Sequence, residues 1–158
     1  MDVAFFDRDG TLVYEPPDGL VRPEGFRVLP GVIEGLKTLK AQGYTLVMIT
    51  NQSFYGDVSR IKCFEDTQEL LFAALKAGGL AFDFVFLCPH SEGEGCNCRK
   101  PKTGMVDEFL REHEIDKERS VVVGDRESAD GGFGKAIGVR FVKMESNGIF
   151  PMLSTSFL

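Results

Sequence analysis

The sequence is poor in the features that mark several large protein classes. No apolar run approaches the ~20 residues needed to span a bilayer; stretches such as Tyr44 to Ile49 are among the longest. No basic, apolar leader follows Met1-Asp2, so the expected location is the cytoplasm and no membrane partner is expected. Positive charge is scarce too: 18 Lys and Arg stand against 24 Asp and Glu, giving a net charge of −6 and a pI near 5.0. A surface of that sign repels a phosphate backbone, which argues against nucleic acid as a partner. A small anionic substrate remains compatible, because only the local field of a cleft has to be positive. No internal repeat or low-complexity segment interrupts the chain. With 43% hydrophobic and 27% charged residues over 158 positions, the composition is that of one globular domain. A chain of this length buries about 70% of its unfolded surface and needs no disulfide framework.

What is present is an alternation of short apolar strands and periodic helices. Val3 to Phe6 reads as a buried parallel strand, Pro30 opens a helix carrying Val32, Ile33, Leu36 and Leu39, and Leu46 to Ile49 is a second strand. Phe64, Thr67, Leu71, Ala74 and Leu75 share a helical face that Gly78-Gly79 ends, before a strand over Phe84 to Leu87. Met105, Val106, Phe109 and Leu110 mark a third helix, Val121 to Val123 a fourth strand, and Val139 to Val142 a fifth after a glycine-weakened helix around Ala129 to Ile137. This order predicts an α/β fold: a three-layer, Rossmann-like parallel sheet with helices on both faces. Two loops are long, Val13 to Leu29 and Cys88 to Lys102, and residues 144–158 form a tail without a clear period.

In such sheets ligands bind beyond the carboxyl ends of the strands, so the residues there carry the functional signal. Asp7-Arg8-Asp9-Gly10-Thr11 follows the first strand, with two carboxylates that an extended segment places on one face. A calcium loop of EF-hand type does not fit, since its required glycine would be Leu12 and its twelfth position is Asp18. Thr50-Asn51 follows the second strand, and Arg99-Lys100-Pro101-Lys102 gathers three cations in four residues. Gly124-Asp125-Arg126, with Asp130 five positions beyond Asp125, follows the fourth strand. Singly these are common surface patterns. In order, each at a strand end, they point to phosphoryl transfer.

These segments, from Phe6-Asp7-Arg8-Asp9-Gly10-Thr11-Leu12 through Thr50-Asn51 and Lys100-Pro101 to Gly124-Asp125 and Asp130, resemble the four ordered motifs of the haloacid-dehalogenase-like phosphatases over residues 3 to about 143. The resemblance implies that Asp7 is the nucleophile forming an aspartyl-phosphate and that Asp9 protonates the leaving alkoxide and then activates water. It implies that Thr50, Asn51 and Lys100 hold the phosphoryl group. It also implies that Asp7, the backbone carbonyl of Asp9 and Asp125 coordinate Mg²⁺, with Asp130 the second acid of the fourth motif, one position later than family members usually have it. An acid so crowded by carboxylates favours the protonated form that Asp9 needs. Mg²⁺ and Lys100 would offset the repulsion between carboxylate and phosphate.

Three of the four cysteines lie together: Cys88-Pro89-His90, then Cys96-Asn97-Cys98. A Cys-x-Cys bridge would be strained and a reducing cytoplasm disfavours disulfides, so the set reads as a closed Cys₃His zinc site, with free thiols as the alternative. A closed shell leaves no place for substrate. The role of Zn²⁺ would be to hold Arg99 and Lys100 at the rim of the site. Cys63 and His113 read as a packing residue and a solvated side chain, and the glycines at 132, 134 and 138 have the wrong spacing for a dinucleotide fingerprint.

Within the family, the zinc loop resembles the branch containing histidinol-phosphate phosphatases and heptose 1,7-bisphosphate phosphatases. Glu15-Pro16-Pro17-Asp18, the short gap between His90 and Cys96, and the run from Cys96 to Gly104 look more like the histidinol-phosphate enzymes, whereas Gln52-Ser53-Phe54-Tyr55-Gly56 follows neither pattern. Glu15 and Asp18 could pair with the ammonium and imidazole of such a substrate. Only about 40 residues separate Asp9 from Thr50, too few for a large cap domain in addition to a loop, helix and strand. Selectivity is therefore expected from the loops, and the partner is expected to be a small phosphorylated metabolite. An open site argues against a phosphomutase, which must exclude water. The acidic surface argues against a nucleic-acid 3′-phosphatase, and the presence of both Asp7 and Asp9 against a silent zinc-bearing binding module.

Overall fold

The computed structural model describes residues 1–153. Five strands, β1 (Val3–Phe6), β2 (Thr45–Asn51), β3 (Phe84–Cys88), β4 (Val121–Gly124) and β5 (Arg140–Lys143), form one fully parallel sheet in the order β3-β2-β1-β4-β5. β1 lies at the centre, and all four of its residues are fully buried. A strand covered by helices on both faces can be apolar throughout, which is why Val-Ala-Phe-Phe is legible as a central strand. Its alternation sorts the core. Ala4 and Phe6 pack with Leu36 and Leu39 of α1 (Val32–Ala41) and Leu71 and Leu75 of α2 (Val58–Ala77). Val3 and Phe5 pack on the other face with Phe109 of α3 (Asp107–Glu112) and Phe133 and Ile137 of α4 (Gly132–Ile137).

From β1 the chain winds outward to β2 and β3, then returns to the other side of β1 for β4 and β5. The reversal opens a crevice at the carboxyl ends of β1 and β4, the place where doubly wound sheets bind ligands. All five expected strands and four helical segments are present, with informative differences at the ends. β2 includes Thr50 and Asn51, in register with Leu87 and Cys88 of β3. The expected helix from Ala129 begins instead as a π turn over Glu127–Gly131 that runs into α4. The loop from Val13 to Leu29 is a folded flap: Tyr14 N donates to Arg27 O, Leu29 N donates to Leu12 O, and Val13, Val21 and Leu29 are buried. Among the described residues no helix is long and apolar enough to cross a membrane.

The tail that showed no period packs against the core as far as it is described, and residues 154–158 lie outside the described residues. Met144, Phe150 and Leu153 are buried in the α1–α2 core, and Phe150 N donates to Pro30 O. The Phe150 ring lies so close to Gly35 that a Cβ there would sit 2.5 Å from it, which accounts for a glycine inside α1. Replacing Phe150 by alanine is expected to destabilise the fold by about 3–5 kcal/mol, the usual cost of deleting a buried phenyl ring. A denaturant midpoint unchanged from the parent protein would contradict this packing.

Candidate active site

The site grows from the carboxyl end of β1. Asp7 N donates to Val123 O at 3.0 Å, extending the β1–β4 pairing by one residue, and the Arg8 carbonyl then accepts from Thr11, Leu12 and Val13 N–H groups, folding the chain back sharply. Gly10 has φ +80°, and a Cβ on it would stand 2.7 Å from Asp125 Oδ2 and 2.8 Å from Ser146 Oγ. Glycine is required there by both backbone conformation and close approach.

Lys100 enters from the loop beyond β3. Its ammonium is buried and donates to Asp7 Oδ1 at 2.7 Å, Asp130 Oδ1 at 2.7 Å and Ile49 O at 3.0 Å, so all three donors are satisfied. Burial opposes its charge, but Asp7 and Asp130 outweigh that and hold its pKa above the ordinary lysine value. Asp130 is pushed up to about 6 by burial and by Asp7, against the pull of Lys100. Asp125 is also raised, by burial and Asp7, while a hydrogen bond from Ser146 works the other way.

Asp7, Asp125 and Asp130 each offer a carboxylate oxygen, all within 4.8 Å of one another, and Asp125 Oδ1 is buried without a hydrogen-bond partner. Three clustered carboxylates with an orphaned oxygen are a fitting set for a hard divalent cation. Asp130 joins this set although it stands five positions after Asp125. The π turn takes up the additional residue, with Asp130 N donating to Arg126 O at 2.7 Å and Asp130 Oδ2 accepting from Arg126 N at 3.1 Å. Neighbouring glycines leave room for it: a Cβ at Gly124 would collide with the Asp130 carboxylate and one at Gly132 would meet Pro101 at 2.7 Å.

Asp9 faces the same cavity. Its Oδ2 accepts from Gln52 Nε2 at 2.7 Å and its Oδ1 from Arg8 Nη1. Burial raises its pKa above the usual carboxylate value, Asp7 adds to the effect, and Arg8 opposes it. Arg8 is itself fully buried, donating to Gln68 Oε1 at 2.9 Å and Thr67 Oγ1 at 2.6 Å on α2. In the sequence Arg8 stands simply between two acids. The one signal of its role is a buried Thr-Gln pair on the otherwise apolar inner face of α2.

The remaining expected residues take distinct positions. Thr50 is buried at the end of β2, its Oγ1 accepting from Gln52 Nε2 at 3.0 Å. The Asn51 amide is taken up by the Lys100 peptide: Oδ1 accepts from Lys100 N at 2.9 Å and Nδ2 donates to Lys100 O at 3.1 Å. Its side chain thus fixes the lysine at the edge of the cavity that Asn51 also lines. Arg99 lines the cavity and donates to His90 O at 2.8 Å. Glu15 also lines it, but its carboxylate accepts from Arg126 Nη2 at 2.6 and 2.8 Å, and Asp18 pairs with Arg22 at 2.8 Å. Both acids expected from sequence to meet a substrate ammonium and imidazole are thus engaged by arginines of this chain while still lining the cavity.

The cavity itself measures about 280 Å³. Asp7, Lys100 and Asp130 form its buried floor, while Tyr55, Arg60, Arg99 and Arg126 line its more exposed parts. Among the described residues, Arg60 and Arg99 have no carboxylate partner. Tyr55 adopts φ +51° and carries the Arg60 guanidinium 5.2 Å from its ring centre.

Cys88, His90, Cys96 and Cys98 converge beside this cavity, their ligand atoms all within 4.8 Å. Cys88 Sγ lies 3.6 Å from Cys96 Sγ, 3.7 Å from His90 Nδ1 and 3.1 Å from Cys98 Sγ, and His90 Nδ1 lies 3.3 Å from Cys98 Sγ. Three thiols and one imidazole gathered this closely are the donor set of a tetrahedral zinc site, and they fit that metal by chemistry and number. Burial acts against ionisation of Cys96, but the backbone N–H groups of Arg99 and Cys98 prevail and bring its thiol down to about 6. Cys63 stands apart on α2.

The polynucleotide kinase 3 phosphatase family model matches residues 2–146. The histidine biosynthesis bifunctional protein HisB of Legionella pneumophila (strain Lens) is 35% identical over 158 residues, covering 99% of this chain and 45% of that protein. The chain therefore spans less than half the length of such relatives. A probable D-glycero-D-manno-heptose-1,7-bisphosphate 7-phosphatase of Thermoplasma volcanium is 34% identical over 145 residues, covering 89% of this chain and 97% of that protein. Among solved structures, the D,D-heptose 1,7-bisphosphate phosphatase of B. bronchiseptica, complexed with magnesium and phosphate, superposes with a TM-score of 0.67 at 26% identity, covering 90% of this chain and 92% of that one.

Asn51→Ala removes both bonds to the Lys100 peptide. At about 0.5–1.5 kcal/mol per hydrogen bond it is expected to cost about 1–3 kcal/mol in urea unfolding. A neutral result would show that Lys100 is placed by other contacts.

Proposed function

Because the chain belongs to the polynucleotide kinase 3 phosphatase family of haloacid-dehalogenase-like phosphatases, we propose that Asp7 and Asp9 hydrolyse a small phosphate monoester in two steps through an aspartyl-phosphate. One observation carries the assignment: the Asp7 carboxylate is paired with the buried Lys100 ammonium at the floor of the cavity that Asp9, its pKa raised by burial, also lines. Asp7 attacks phosphorus as the bond to the leaving oxygen breaks, and Asp9 delivers its proton to that oxygen. Water then attacks the acyl phosphate, Asp9 recovers a proton from it, and inorganic phosphate leaves with Asp7 restored. Lys100 orients Asp7 and offsets the charge of the phosphoryl oxygens, with Thr50 at the same strand end. Mg²⁺ would be held by Asp7, Asp125 and the Asp9 backbone carbonyl, with Asp130 beside them, and supplies charge neutralisation when bound.

Zn²⁺ would be held by Cys88, His90, Cys96 and Cys98 as a structural ion. Arg99 and Lys100 follow Cys98 directly, so this knot sets the direction from which the lysine enters. Unbridged thiols suit a reducing compartment, in keeping with the cytoplasm.

Two substrates are supported. Histidinol phosphate follows from the similarity to the bifunctional histidine-biosynthesis proteins. Heptose 1,7-bisphosphate is favoured by Arg60 and Arg99, two cations lining the cavity that no carboxylate neutralises among the described residues. Phosphate release from each ester in Mg²⁺, with Asp7→Asn as blank, decides between them by the ratio of kcat/KM. Equal, slow release with and without Asp7 would overturn the reaction as written.

Two further outcomes are expected. Because burial raises Asp9, its acid form survives above the normal carboxylate range, and kcat/KM falls as pH rises through that elevated pKa. Asp9→Asn is expected to lose about 10²–10⁴ in kcat, and a variant retaining the parental rate and pH limb would remove Asp9 from the mechanism. For the second metal, elemental analysis is expected to find equimolar zinc, and Cys96→Ser to lose it with a lower Tm. Full zinc retention in that variant would exclude Cys96 as a ligand.

A further inference from the structure

Arg126 belongs to none of the roles assigned above, yet it lines the cavity that holds Asp7 and also the two neighbouring cavities, each of about 430 Å³. Its guanidinium is anchored through Nη2 alone, to both oxygens of Glu15. Nε and Nη1 have no hydrogen-bond partner among the described residues, so three of its five N–H donors remain for a ligand. Resting on the phosphatase reading of this cavity, we propose that Arg126 is a specificity residue that contacts oxygen acceptors on the leaving-group side of the ester, with Glu15 and Asn147 as the positioning residues that hold it there.

The placement is built rather than incidental. Asn147 uses both ends of its amide on the Glu15 peptide: Oδ1 accepts from Glu15 N at 2.7 Å and Nδ2 donates to Glu15 O at 2.9 Å. Asn147 has φ +59°, a conformation asparagine tolerates better than most residues, and its own N–H donates to Gly10 O at 2.9 Å. The Arg126 backbone is tied to Asp130 through both its N–H and its carbonyl. Each end of the Glu15–Arg126 pair is therefore fixed to a turn bearing an active-site carboxylate. A long side chain held in one place before substrate arrives loses less freedom on binding, so its hydrogen bonds contribute more to affinity. With Glu15 balancing its charge, Arg126 suits hydroxyl, carboxylate or phosphate oxygens, and as a pure donor it disfavours an ammonium.

The test compares phenyl phosphate, which has no acceptor on its leaving group, with glycerol 3-phosphate, 3-phosphoglycerate and heptose 1,7-bisphosphate, which offer hydroxyl, carboxylate and phosphate oxygens. Arg126→Gln is expected to reduce kcat/KM at least tenfold further for the preferred acceptor-bearing ester than for phenyl phosphate, chiefly through KM. Asn147→Gly keeps the positive φ and removes the amide; it is expected to raise KM in the same substrate order by a smaller factor. Equal losses across all four esters would overturn the role of Arg126. An Asn147→Gly protein with lowered Tm but unaltered substrate ratios would overturn the positioning role. The same ratios can be read without turnover, from Kd values of the esters on Asp7→Asn protein with and without Arg126→Gln. Absence of hydrolysis by the parent protein would then refute the phosphatase reading while leaving Arg126 separately judged.

Discussion

The ammonium of Lys100 is the point on which the structure depends. A charge withdrawn so completely from water is tolerable only if it is paired and fully hydrogen-bonded, and removing one partner of a buried pair commonly costs about 3–5 kcal/mol. Its three partners come from the end of β1, the backbone of β2 and the π turn after β4. One nitrogen thus fixes the relative positions of three neighbouring strands' ends. The same nitrogen keeps Asp7 and Asp130, two carboxylates in close proximity, from repelling each other apart. Stability and the geometry of the candidate site are here the same set of contacts.

Around that centre, positioning is delegated outward in layers. Asn51 grips the lysine's peptide, the cysteine-histidine knot fixes the chain just before it, and Arg8 ties the Asp9 carboxylate to α2. Beyond these lie the flap after Val13, the Tyr55 segment and the turn at Ser146-Asn147, which line the cavity and its neighbour. A site without a large cap leaves discrimination to such segments and to the guanidinium groups that line the cavity with them: Arg60 on α2, Arg99 before Lys100 and Arg126 after β4.

The central strand, both helical faces and the acidic residues at the strand ends were legible in the sequence because each is written in local pattern: an unbroken apolar run, a 3.6-residue period, or an acid directly following a strand. What was not legible depends on partners remote in the chain. Arg8 meets Gln68 60 positions away, and Glu15 meets Arg126 111 positions away. Without those distances Arg8 simply stands between two acids and Glu15 reads as a free acid. Nothing local in the sequence shows that the Asn51 amide bonds the Lys100 peptide 49 positions away. The tail lacked a period because its buried residues fill separate gaps, with Phe150 matched to the glycine in α1. The additional residue before Asp130 was visible, but its accommodation by a π turn between glycines was not.

The strand order carries a consequence for biosynthesis. β1 is made first and ends at the middle of the sheet, with β2 on one side and β4 on the other. A nascent chain emerging from the ribosome holds Val-Ala-Phe-Phe with one flank unpaired until β4, which begins at Val121, has been translated. Parallel pairings of such long sequence separation form late and leave apolar strands exposed in the interim. The residue pattern that buries β1 completely in the finished protein leaves it, during synthesis, an apolar strand with one flank open to the wrong partner.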